Sequence, residues 1–161
     1  MADISSPASI TSTSYGVSVA FDLSKFTIWG CRTAVETYSN TSGSTVVIQP
    51  GTVMGRINSS GYIIEMQSTN TDGSQIPIGV SVNATPITIP NGATQLVEFV
   101  YTGEINKNML VFKNGTDTLN TLILANSNVP AATTTEVGLV IDILRGKTIN
   151  PTLFTGISYN E

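Results

Sequence analysis

The residues able to do chemistry are few, and their spacing does not organise them. There is no histidine in the chain, so the commonest general base and the commonest metal ligand are both missing, and Ser-His, Cys-His and most zinc arrangements go with them. Cys31 is the single cysteine. Arg32 beside it would favour a thiolate, but no base lies near it in the sequence, and a small buried hydrophobe is the plainer role. The acids that could make a glycosidase pair or a calcium set, Glu65, Asp72, Glu98 and Glu104, stand singly on separate segments and read as ordinary solvated carboxylates. "NTDGSQ" lacks the alternating acids of a calcium loop, "KNGTDT" lacks phosphate-loop spacing, and neither "GVSVA" nor "GISYN" fits G-x-S-x-G. Asn40, Asn58, Asn83 and Asn114 open N-x-S/T triplets, but a chain this rich in Asn, Ser and Thr produces such triplets by chance. No catalytic residue, metal ligand or cofactor is assigned.

The composition agrees. Charged residues make up 11% of the chain, against roughly 25% in a typical soluble domain. Ser, Thr and Asn supply 53 of the 161 residues, so the surface is polar through neutral groups and has little long-range field. A net charge of -4 with seven Lys and Arg, nowhere clustered, argues against nucleic acid as a partner. The longest apolar runs, such as "VGLVIDIL", fall far short of the roughly 20 residues needed to span a bilayer, which argues against a membrane partner. The opening "MADISSPASITSTS" lacks the basic and apolar regions of a secretory signal, so the expected place of synthesis is a cytosol.

The elements that must position any site are short strands and turns, on a chain whose length suits one domain with an appendage. Residues 1 to about 13 are Ser, Thr, Ala and Pro with few large apolar groups, too little to offset the roughly 1–2 kcal/mol lost per ordered residue. "SYGVSVAF" then sets Tyr15, Val17, Val19 and Phe21 on one side of a strand, and "KFTIW" follows. Residues 1–30 therefore read as an extended arm and 31–161 as a β-rich body. Tyr15, Val17, Val19, Phe21, Phe26, Ile28 and Trp29 are its candidate contact residues, with Phe26 and Trp29 preferred as aromatic anchors. Closing one side of the chain's own core is the alternative use of the same residues.

In the body, "TVVIQP" reads as a strand ending at Pro50. Val53, Gly55 and Ile57 share one face before the turn "NSSG", and Tyr62, Ile64 and Met66 share one after it, with Gly61 where a hairpin needs positive φ. "IPIGVSV" and "ATPITIPNGATQLVEFVYTGEI" add strands whose Pro77, Pro86 and Pro90 belong at ends or edges. "TTTEVGLVIDILRG" reads as a helix, with Thr133 and Glu136 at capping-box spacing, Val137, Val140, Ile141 and Leu144 on one face and Gly146 at the C-cap. "TDTLNTLILAN" fits a short helix or a strand, and "PTLFTGISYN" a final strand.

"GTVMG" before a hairpin, "DGSQ" leading to an "IGV" strand and the step "GEINKNML" after a long strand occur in an order and spacing that resemble the tailed-phage head decoration proteins, the phage lambda protein D-like family. The resemblance covers about 70 residues from Val46 to Phe112; the first 35 carry no shared motif. It implies a mainly β, β-clip-like small domain with one or two short helices. It also implies a homotrimer bound to the major capsid protein on the virion surface, with no catalytic site. A different virion or surface β module, such as a tail-fibre or carbohydrate-binding domain, is the alternative that low charge and abundant Thr and Asn also suit.

Overall fold

Short β-branched segments separated by Gly, Pro and Asn turns assemble into a mainly β domain. The computed structural model describes residues 22–124 and 136–146. In chain order these form helix α1 (Leu23–Phe26), β1 (Thr27–Ser39), β2 (Val46–Ile48), β3 (Val53–Arg56), β4 (Ile63–Glu65), β5 (Pro77–Ser81), β6 (Ile87–Ile89) and β7 (Thr94–Ile105). A 3-10 turn (Lys107–Met109), β8 (Leu122–Leu124), β9 (Glu136–Leu139) and helix α2 (Val140–Gly146) complete them.

Five strands close a barrel in the order β1-β4-β3-β5-β7, while β2 pairs with β6 and β8 with β9. The long antiparallel pair is β1 with β7, running from Thr27 opposite Ile105 to Ser39 opposite Thr94 with irregularities between Trp29 and Thr33. Gly103 explains how β7 tolerates them. At φ 118°, a Cβ there would sit 2.4 Å from the Cα of Cys31, so only a residue without a side chain lets the two backbones approach. Gly55 does the same for β3, where a Cβ would meet the Ser74 carbonyl at 1.9 Å. Two of the motifs quoted above, "GTVMG" and "GEINKNML", thus turn on glycines that allow one backbone to pack on another.

The sheet divides two apolar cores. Tyr38, Ile48, Met54, Ile63, Ile89, Val97 and Phe99 form one; Phe26, Val53, Met66, Val80, Val100, Ile105, Ile123, Val140 and Leu144 are among those forming the other. Neighbouring residues such as Val53 and Met54 therefore feed opposite cores. This corrects the expected single buried face of the hairpin: Ile63 and Glu65 are buried while Tyr62 is exposed, because both sides of the ribbon are covered. Gly61 has φ 75°, as its turn requires, and Pro77, Pro86 and Pro90 stand at or just outside strand ends.

The C-terminal reading is corrected as well. Glu136–Leu139 is a strand opposite Leu122–Leu124, and the helix is only Val140–Gly146. Gly138, at φ 136°, cannot continue a helix, and pairing with "LIL" supplies the backbone hydrogen bonds the helix would have made. Val140 and Leu144 are buried one turn apart as the periodicity required. Thr133 and "PTLFTGISYN" lie outside the described residues.

Candidate interaction surface

The boundary drawn at residue 30 falls inside β1, which carries the chain from the expected arm into the barrel. Asp22 caps α1 by accepting from the Ser24 backbone N–H at 3.0 Å, and Asn106 fastens the start of β1, its N–H donating to the Phe26 carbonyl at 2.8 Å. This turn places the candidate contact residues unequally. Phe26 is fully buried in the chain's own core, whereas Ile28 is 40% and Trp29 76% exposed. An anchor for a partner must be reachable, so the preference for Phe26 is withdrawn for this conformation, and Ile28 and Trp29 remain on the surface. Tyr15, Val17, Val19 and Phe21 lie outside the described residues.

Further along the same ladder, Val35 and Leu96 are diagonal neighbours on the outward face and both are mostly exposed. Beside them is a cleft of about 370 Å³ lined by Val35, Glu36, Thr37, Ser60, Gly61 and Tyr62. It opens where β1 and β4, parallel and in register only at Tyr38 opposite Ile63, diverge. Arg56 spans the gap, donating to Glu36 at 2.6 Å and to the Gly61 carbonyl at 2.8 Å. The pair is partly exposed and worth little to stability. Its effect is to leave neither charge unmatched at the cleft.

Glu65 is not the solvated acid its isolation suggested. It is 5% exposed, accepts the Tyr38 hydroxyl proton and lies 3.3 Å from the Lys113 ammonium. Burial, followed by the hydrogen bond to Glu65 and that group's charge, pushes the Tyr38 hydroxyl well above the ordinary phenol range. The three side chains tie β1 to β4 at their single backbone pair. Nothing in the sequence signals them, since Tyr38, Glu65 and Lys113 meet only through the barrel's closure.

The remaining candidates for chemistry resolve into structure. Cys31 is half-buried, packs against the second core and donates its thiol to the Glu104 carbonyl at 3.2 Å. Desolvation raises its pKa, the opposite of an activated nucleophile. Asn40 is 1% exposed, and its amide is spent on the Ser44 and Ile89 carbonyls and on Ser42, so this triplet is a loop staple. Asp117, 6% exposed, accepts the Ser68 backbone N–H at 2.9 Å and holds the "STNTDGSQ" loop to the body. Among the described residues no three of His, Cys, Asp and Glu cluster to hold a metal ion, and no helix is long and apolar enough to cross a membrane.

Among known proteins, the family model described as Bacteriophage lambda head decoration protein D matches residues 32–131. No curated protein matches the chain.

Proposed function

The chain belongs to the bacteriophage lambda head decoration protein D family, and from that membership we propose that it trimerises on the outside of a phage head and cements the shell against internal pressure. The family is one of capsid decoration proteins, structural rather than enzymatic. The match across residues 32–131 carries the reading; among the described residues, Cys31, Glu65 and Asp117 are engaged in holding strands and loops together.

The physics of such a contact follows from the surface. With few charges, steering contributes little and affinity rests on apolar burial and backbone pairing. In this reading the contact element is the exposed Ile28 and Trp29 at the start of β1 together with the preceding segment bearing Tyr15, Val17, Val19 and Phe21; the exposure of Ile28 and Trp29 supports it. Ordering ten arm residues costs on the order of 10–20 kcal/mol before any contact is credited. Covering Trp29 returns only about 3 kcal/mol. One copy alone binds weakly, and three linked copies raise avidity by roughly 10² to 10⁴ without a new contact.

The test is to add the protein to expanded, undecorated heads and measure their resistance to heat. The proposal expects saturable binding that raises the disruption temperature, and a mass in solution or on the head of about three chains. Heads that bind the protein and break at the same temperature refute the cementing role; a single chain per site refutes the trimer.

A further inference from the structure

β1 has two edges and thirteen residues. β7 occupies one edge along its whole length, but on the other the described residues supply one partner, Ile63 opposite Tyr38. Among the described residues, no strand pairs with the outer edge of Thr27–Thr37. That edge runs past the exposed Ile28, Trp29 and Val35 and ends in the cleft by Tyr62. A long unpaired edge is a template for unwanted pairing, and proteins cover such edges.

We propose that the cover is Ser14–Phe21 of the same chain, paired antiparallel along the outer edge of β1 and ending at the cleft. Length fits first. The eight residues of "SYGVSVAF" face an open edge of eleven, and the segment alternates apolar side chains as an added strand requires. The connection fits next: only Asp22–Phe26 separate the two segments, most of it one capped turn, and short connections of this kind join antiparallel neighbours. Pairing back across that turn sets Phe21 near Thr27 and Ser14 near Ala34, at the mouth of the cleft. The chemistry also fits at the cleft end. Ser14–Phe21 has no charged residue, and the charges at the cleft, Glu36 and Arg56, already satisfy each other, while Arg32, farther along the edge, is exposed and keeps its guanidinium in solvent beyond the added strand. The part of the arm left to reach outward is then residues 1–13. This concerns the free chain: the backbone of Ser14–Phe21 is spent on β1 and its side chains stay beside Ile28 and Trp29, so the pairing can fail while the cementing role, which rests on the family match, stands.

The test compares the full chain with a variant carrying Val17→Pro and Val19→Pro, which removes two donors from the added strand. In the full chain the β1 amides pointing away from β7 exchange slowly; in the variant they exchange about tenfold faster or more, while β5 and β7 amides are unchanged. Trp29, the single tryptophan, moves to longer emission wavelength and becomes easier to quench. A chain lacking residues 2–13 keeps the wild-type pattern. Equal exchange in the full chain and the proline variant overturns the proposal, as does lost protection in the 2–13 deletion. Cross-links from Ser14–Phe21 to β1 that form only between isotopically distinct chains would give the edge to a second copy. Protection appearing only when heads are added would give it to the shell.

Discussion

Replacing Tyr38 by Phe removes one proton donor and keeps the ring in the core. The hydroxyl is buried against Glu65, itself 5% exposed, whose other partner is Lys113 at 3.3 Å. Losing a hydrogen bond to a buried charged group costs about 1.5–3 kcal/mol. In a chain of this size that lowers Tm by about 3–12 °C at neutral pH. The pH dependence separates this cause from a packing defect. In the folded chain the Tyr38 hydroxyl holds its proton far past the range in which the unfolded chain releases it. Its contribution is therefore complete below pH about 10 and declines above it, by about 1.4 kcal/mol per pH unit, until the folded hydroxyl ionises too. Tyr38→Phe has no such group, so the gap between wild type and variant narrows from pH 10 to pH 11, the other tyrosines being common to both. Urea titrations at pH 7, 9, 10, 10.5 and 11 measure it. A gap that stays constant or widens above pH 10 would refute the assignment of Tyr38 as the donor that holds the seam.

Gly103→Ala forces a Cβ into the Cys31 backbone at a positive φ and should cost about 2–4 kcal/mol, seen as a lower urea midpoint with an unchanged m-value. Asp117→Ala strips the Ser68 N–H of its acceptor and should cost about 1–3 kcal/mol, with faster amide exchange confined to residues 68–75. Trp29→Ala removes the largest exposed apolar side chain among the described residues and should weaken binding to heads about tenfold or more by co-sedimentation.

Most of the strands from Val46 to Ile105, their turns and the proline positions were legible because each is set locally, by β-branched runs and by residues that fix φ. What the sequence concealed is non-local. The hairpin around "NSSG" shows alternation, yet both its faces are covered, so Ile63 and Glu65 had no visible reason to be inside. "TEVGLVIDIL" carries a helical period that wins only from Val140 onward; upstream, Gly138 and the partner strand β8 override it. The split between Phe26 inside and Trp29 outside depends on one capped turn at Asp22, and two aromatics three residues apart do not reveal which of them it turns inward. The absence of histidine was readable at once, since a missing residue type needs no fold to be missing.

The thirteen residues of β1 span at most about 40 Å at roughly 3.3 Å per residue, with an indole near one end and the Asn40-stapled loop of Thr41–Ser44 at the other. Seated by the indole tip, the chain would lift that hydroxyl-rich crown farthest from the surface beneath. In that orientation Thr41, Ser42 and Ser44 would present neutral hydroxyls, rather than charges, to the solvent.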